Sequence, residues 1–97
     1  MARWNKKLTF EKDPDDVVDY TLNFKGLLQA DAINTATATD ANGVVSIDST
    51  TVSGNNVTVF VSGGTANSTA KIEVTITTTN ATPRTFERSF YIQVLDL

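Results

Sequence analysis

Ninety-seven residues make one compact domain and leave no room for a second core. With 40% of its residues apolar and 20% charged, the chain can bury a core and is not compositionally disordered. Cysteine and histidine are both absent, which excludes disulfides, thiolate metal sites and cysteine nucleophiles and removes the commonest general base.

The net charge of −3 conceals an asymmetry: residues 1–12 carry four bases and one acid, +3, while four bases and ten acids leave the remainder at −6. Residues 1–12 therefore read as a basic N-terminal arm and 13–97 as the folded domain. A nucleic-acid surface needs aromatics among its cations, and the arm has only Trp4 beside them, so no nucleic-acid partner is expected. Trp4, Leu8 and Phe10 are better placed to dock the arm, on its own domain or, preferably, on a neighbouring subunit. No apolar stretch of signal-peptide length follows MARWNKK, and none approaches the ~18 residues of a membrane span. A soluble chain without a membrane partner is the expectation.

The acidic run EKDPDDVVDY at 11–20 comes next. Asp13 can act as an N-cap, Pro14 suits a first helical position, and Asp15 and Asp16 favour the positive end of a helix. A short helical turn over 14–18 follows. A calcium site is the rival, because oxygen ligands at alternating positions suit a hard cation, but the further spaced acids and terminal Glu of a calcium-binding loop are missing. No cofactor is expected.

From residue 17 the apolar residues alternate with period two, as a half-buried strand requires. Tyr20, Leu22 and Phe24 share a face, and the alternation breaks over 23–28. Ile33, Thr35, Thr37 and Thr39 then oppose Ala36 and Ala38 in a weakly apolar second strand. The turn Asp40-Ala-Asn42-Gly43 predicts a hairpin into a short strand holding Val45 and Ile47. Gly54-Asn55-Asn56 turns the chain again before Val57, Val59 and Val61, which alternate with Thr58, Phe60 and Ser62. Gly63-Gly64 ends that strand. Ile72, Val74 and Ile76 make the next, Asn80 to Pro83 turn, and Phe90, Ile92 and Val94 close the series.

Short strands with turns every eight to twelve residues and no sustained helical period give an all-β fold, best matched by an immunoglobulin-like antiparallel sandwich of six to seven strands. A small jelly roll remains compatible. Arg88 shares the parity of Phe86 and Phe90, which turns its guanidinium inward, and a buried arginine needs a carboxylate. Asp16 or Asp19 is the expected partner, tying the first strand to the last.

Three runs carry a family likeness: DPDDVVDY at 13–20, VTVFVSGGTANSTAKIEVTITT at 57–78 and RTFERSFYIQV at 84–94. In this order they resemble the small phage fibre-tail adaptor proteins, whose pattern runs Asp-Pro-x-Asp-Val-x-Asp-Tyr, then Val-x-Leu-Ser-Gly-Gly-Thr-Ala-Gly, then Arg-Thr-x-Glu-Arg-Ser-Phe. The resemblance marks Asp13, Pro14, Asp16, Asp19, Tyr20, Gly63, Gly64 and Arg88 as motif positions. It implies a virion component, assembled in the bacterial host cytoplasm, that joins fibres to the tail or connector and has other phage proteins and copies of itself as partners. Ala36 and Ala38, Phe60 and Ala70 stand where the family commonly has Trp, Trp and Tyr.

Phe60 opposes Val59 and Val61 in parity, so it points outward if they point in, where a large ring suits an interface. The alternative is that the arm covers it. From Ala41 to Ala70 the only charged residue is Asp48, a depletion seen in interface cores and equally in any Thr-rich β-domain. The sequons at Asn56, Asn67 and Asn80 read as coincidences of Thr-rich sequence.

Enzymatic readings fail on inventory. The abundant hydroxyls lack a base to activate them, no spacing pairs two carboxylates across a sugar, and Ser62-Gly63-Gly64-Thr65 lacks the helix N-terminus of a phosphate loop. A non-enzymatic virion assembly protein is expected. The alternatives are a capsid decoration protein and a carbohydrate- or cell-surface-binding sandwich.

Overall fold

A computed structural model describes residues 8–28, 31–80 and 82–96. Its elements are, in chain order, β1 (Thr9–Lys12), β2 (Val18–Asn23), α1 (Lys25–Leu28), β3 (Ile33–Asp40), β4 (Ser46–Ser53), β5 (Asn56–Ser62), β6 (Ser68–Thr78) and β7 (Thr85–Val94). The strands form a four-stranded sheet, β1-β7-β6-β3, and a three-stranded sheet, β2-β5-β4. Only the β1–β7 pairing is parallel among the described residues. The all-β sandwich expected from the alternating pattern is the fold.

The core lies between the sheets. Tyr20 and Leu22 of β2 and Val57, Val59 and Val61 of β5 face Ala70, Ile72, Val74 and Ile76 of β6 and Phe90, Ile92 and Val94 of β7. Each of the larger side chains contributes roughly 1.5–3 kcal/mol by leaving water. Phe24, Leu27 and Leu28 extend that core from one end. The break in alternation at 23–28 is α1: the Asn23 carboxamide oxygen accepts the Lys25 N–H, and the Phe24 carbonyl accepts the N–H groups of Leu27 and Leu28.

Three local expectations change. The helical turn over 14–18 is a single β-turn, in which the Asp16 N–H bonds the Asp13 carbonyl at 3.0 Å and the chain then extends into β2. Asp13 does cap it, since Oδ1 accepts the Asp15 N–H at 2.9 Å. One helical bond cannot propagate when the following residues are drawn into a ladder.

The turn at Asp40 is not a hairpin. β3 pairs with β6 and β4 with β5, so the chain crosses from one sheet to the other there. The cause is the Asp40 carboxylate, which accepts the N–H groups of Asn42, Val44 and Val45 at 2.6–2.9 Å and so holds residues 42–45 in a loop instead of a ladder.

In β3, Ile33 does not share a face with Thr35, Thr37 and Thr39. A register shift between Ile33 and Thr35 places Ile33 with Ala36 and Ala38 against the core. The extra residue of a bulge inverts parity.

Candidate functional site

Residues 8–12, expected to belong to a basic arm that docks on its own domain or on a neighbour, include an edge strand of the domain itself. The Leu8 carbonyl accepts the Tyr91 N–H, and Thr9 to Lys12 run alongside Tyr91 to Val94. Leu8 packs on the core, and the Phe10 ring lies 5.0 Å from Tyr20 and 5.9 Å from Phe90. These two candidates therefore contact their own domain, Phe10 at the β1 and β2 edges of the two sheets with its ring still partly exposed. Trp4 lies outside the described residues.

Lys12 ends that strand and is 1% exposed. Its ammonium donates to the carbonyls of Asp13 at 2.9 Å and Gly63 at 2.6 Å, which satisfies a charge that burial would otherwise disfavour. Gly63 follows β5, so the side chain joins the four-stranded sheet to the other. Gly63 (φ 71°) and Gly64 (φ 126°) both have backbone that favours glycine, and a Cβ on Gly64 would stand 3.0 Å from Val94 and 3.3 Å from Val45. The Gly-Gly pair thus turns the chain beneath Lys12 with no room for a side chain at its second position.

Asp13, Pro14 and Asp16 form the turn that leads from this clasp into β2. Tyr20 is buried below it; desolvation, with the Asp16 charge adding to it, raises the phenol above its ordinary value, and its hydroxyl has no hydrogen-bond partner among the described residues. Asp19 is exposed on the outward face of the three-stranded sheet.

Arg88 does not meet Asp16 or Asp19. It is half-buried on the inward face of β7, as parity required, but its Nη1 donates to the Glu87 carbonyl at 2.7 Å and its guanidinium lies 6.0 Å from the Phe86 ring. Asp19 cannot reach it, since it points away from the core on the opposite sheet. Asp16 belongs to the turn at the Lys12 end, whereas Arg88 pairs with Val74, several residues back along β7.

The carboxylate that does take an arginine is Asp31, whose Oδ2 is 3.2 Å from Arg84 Nη2. Desolvation raises the Asp31 carboxyl, but the Ala32 N–H and the side chains of Thr78, Arg84 and Thr79 outweigh it and hold the group below its usual value. Arg84 also donates to the Leu28 carbonyl and lies over the Phe86 ring, so it pins α1 to the start of β7.

The remaining candidate, Phe60, stands outward on β5, the middle strand of its sheet, and is 39% exposed. Asp19 is directly opposite it on β2, and Ser49 opposite it on β4. Asp48, displaced by a register shift beside Ser49, accepts the Ser62 hydroxyl at 2.9 Å on the same face. The Thr21 and Thr58 hydroxyls bond across the ladder at 3.0 Å. The result is a hydroxyl-rich sheet face with one aromatic ring between two carboxylates. Ala36, Ala38 and Ala70, by contrast, face the inter-sheet layer.

A family model described as podophage GP4 fiber-tail adaptor protein gp77 matches residues 12–93. The chain belongs to that family. As a fibre-tail adaptor family it is structural, and membership fits a tail-linking component of the virion that contacts other tail or fibre proteins. No curated protein gives a significant match. The matched span opens at Lys12 and takes in Phe60, Asp19 and Asp48 but leaves out the basic residues Arg3, Lys6 and Lys7.

Sequence reasoning missed Lys12 as an internal clasp, Asp40 as a loop organiser and the Arg84–Asp31 pair. For Asp40 the signal was present, since Asp-x-Asn-Gly states that an aspartate can bond its own backbone. For Lys12, nothing local distinguishes it from Lys6 or Lys7.

Proposed function

We propose that the protein is a non-enzymatic structural part of a tailed-phage particle, joining receptor-binding fibres to the tail or connector through contacts between subunits. The observation that carries this reading is the family match over residues 12–93, which spans both sheets of the sandwich. The seven strands support an immunoglobulin-like assignment. Lettered A to G in chain order, they form sheets B-E-D and A-G-F-C, the immunoglobulin arrangement with its first strand moved to the G edge.

Such a protein works by what it holds, and its surface fits that work. The free edges of the sandwich at β3 and β4 carry only Asp40 and Asp48 as charges, and uncharged edges invite pairing unless a partner covers them. Neighbours in a particle can cover them, and the chain is made in the host cytoplasm before it joins that particle.

Mass spectrometry of purified virions tests the reading, followed by a reconstruction of the particle. The chain is expected at the junction of tail and fibre. Its presence in infected-cell lysate but not in finished particles would overturn it.

A further inference from the structure

The outward face of the three-stranded sheet has a single sign of charge. β2, β4 and β5 contain no lysine or arginine, and their two acids, Asp19 and Asp48, flank the exposed Phe60 ring. The face of an aromatic ring is the negative pole of its quadrupole, so ring and carboxylates attract the same kind of group, a cation. An anionic partner would be repelled there.

The chain carries a segment of matching chemistry. Residues 1–7 hold Arg3, Lys6 and Lys7 with no acid, and Trp4 among them offers a flat ring to lay against Phe60. β1 shows on which copy that segment can act. Phe10 lies over Tyr20, and going back from Phe10 to Leu8 leads away from the Lys12 end, where Asp19 and Phe60 stand side by side. The strand therefore begins at the end away from its own patch and runs toward it, and the basic residues precede that far end, which favours the patch of another molecule.

We propose that the Arg3–Lys7 segment of one copy docks on the Phe60–Asp19–Asp48 patch of a second copy. The inference rests on the assembly reading above and adds to it a head-to-tail contact, which builds a ring or a chain of subunits according to its angle. The basic segment lies outside the family match, so the contact is a property of this chain.

Trp4 is the sole tryptophan, which makes its fluorescence a direct report. In full-length protein at low salt, sedimentation is expected to show self-association, with Trp4 emission shifting to the blue as concentration rises and back to the red in ~1 M salt, where charges are screened beyond ~3 Å. Phe60→Ser should weaken association about tenfold or more, and Phe60→Leu, which keeps the apolar volume, severalfold. A Lys6→Glu/Lys7→Glu chain and an Asp19→Lys/Asp48→Lys chain should each self-associate poorly and yet bind one another when mixed. Because the protein has no cysteine, Asn5→Cys mixed with Ser49→Cys should give a disulfide-linked heterodimer on oxidation.

A protein that stays monomeric at all concentrations would overturn the proposal. So would Phe60 variants that associate as wild type, or a double-cysteine chain that closes on itself. If any of these occurs while the chain is found in virions, the head-to-tail contact falls and the assembly reading stands. If association behaves as expected but the chain is missing from virions, the reverse holds.

Discussion

The ammonium of Lys12 rests 2.6 Å from the carbonyl oxygen of Gly63, a bond between the last residue of β1 in one sheet and the loop after β5 in the other. A lysine buried this fully is held by hydrogen bonds to charge, each contributing roughly 1.5–3 kcal/mol net. Lys12→Met keeps the aliphatic stem and leaves the carbonyls of Gly63 and Asp13 without their donor. It is expected to cost about 1–3 kcal/mol, a fall in melting temperature on the order of 5–20 °C. Lys12→Ala, which also loses the packed stem, should cost more. Thermal and urea unfolding of the two variants checks this: an unchanged Lys12→Met would show that the ammonium contributes nothing, and equal losses in the two would show that the stem contributes nothing.

The loop that receives Lys12 depends on Gly64. Alanine there meets two obstacles at once, a backbone at φ 126° that side chains rarely adopt and Val94 atoms at 3.0 and 3.1 Å. Strain of this kind costs on the order of 1–3 kcal/mol, to which the displaced Val94 adds. Gly54 has φ 60° with nothing near its missing Cβ, so Gly54→Asn should cost only a few tenths of a kcal/mol, because asparagine tolerates the left-handed region. Comparing urea midpoints of Gly64→Ala and Gly54→Asn separates crowding from backbone preference.

How much of this was legible beforehand follows from the range of each interaction. Period-two alternation is local, and it placed Val57, Val59 and Val61, Ile72, Val74 and Ile76, and Phe90, Ile92 and Val94 correctly on the inward face. It also predicted the outward Phe60. A bulge is a single inserted residue that alternation cannot see, so Ile33 came out on the wrong face of β3. Sheet membership is a non-local property, which is why Asp40 signalled a turn truly but not that the turn changes sheets. Lys12 and Arg88 failed in a complementary way. The sequence grouped Lys12 with the bases of the arm, when its place at the end of an edge strand turned it inward, and the inward parity of Arg88 suggested a carboxylate that the topology put elsewhere.

Arg88 now yields a different expectation. Among the described residues its Nε is buried without a partner, and no carboxylate neutralises the guanidinium. Replacing such a group by an apolar residue of similar length removes a desolvated polar atom and sacrifices one bond to the Glu87 carbonyl. Arg88→Met is therefore expected to change stability by less than about 1 kcal/mol in either direction. Arg84→Met differs, because it strips Asp31 of its cation and the Leu28 carbonyl of a donor, and it should be the more destabilising of the two. If Arg88→Met proves the worse in thermal unfolding, the guanidinium holds a contact beyond Phe86 and Glu87.

Asp40 makes the fold sensitive to acid. Burial raises its carboxyl, but the N–H groups of Val45, Asn42, Val44 and Lys71 together outweigh that and hold it below the ordinary carboxylate value. A group that binds its proton less readily in the folded chain stabilises the fold fully above its unfolded pKa of about 3.9, and that contribution disappears as pH falls through the lower native value. Asp31, lowered in the same direction, adds to the same acid-side loss. Asp40→Asn keeps one acceptor oxygen without the charge, so it should lose about 1–2 kcal/mol at pH 7, the difference between charge-assisted and neutral bonds to the loop. Urea unfolding from pH 7 down to about pH 2.5 should show the wild type losing stability below about pH 5 and the gap to Asp40→Asn closing as the wild-type carboxyl takes its proton. A gap of constant size across that range would mean that shape, and not the carboxylate charge, holds residues 42–45 in the crossover between the sheets.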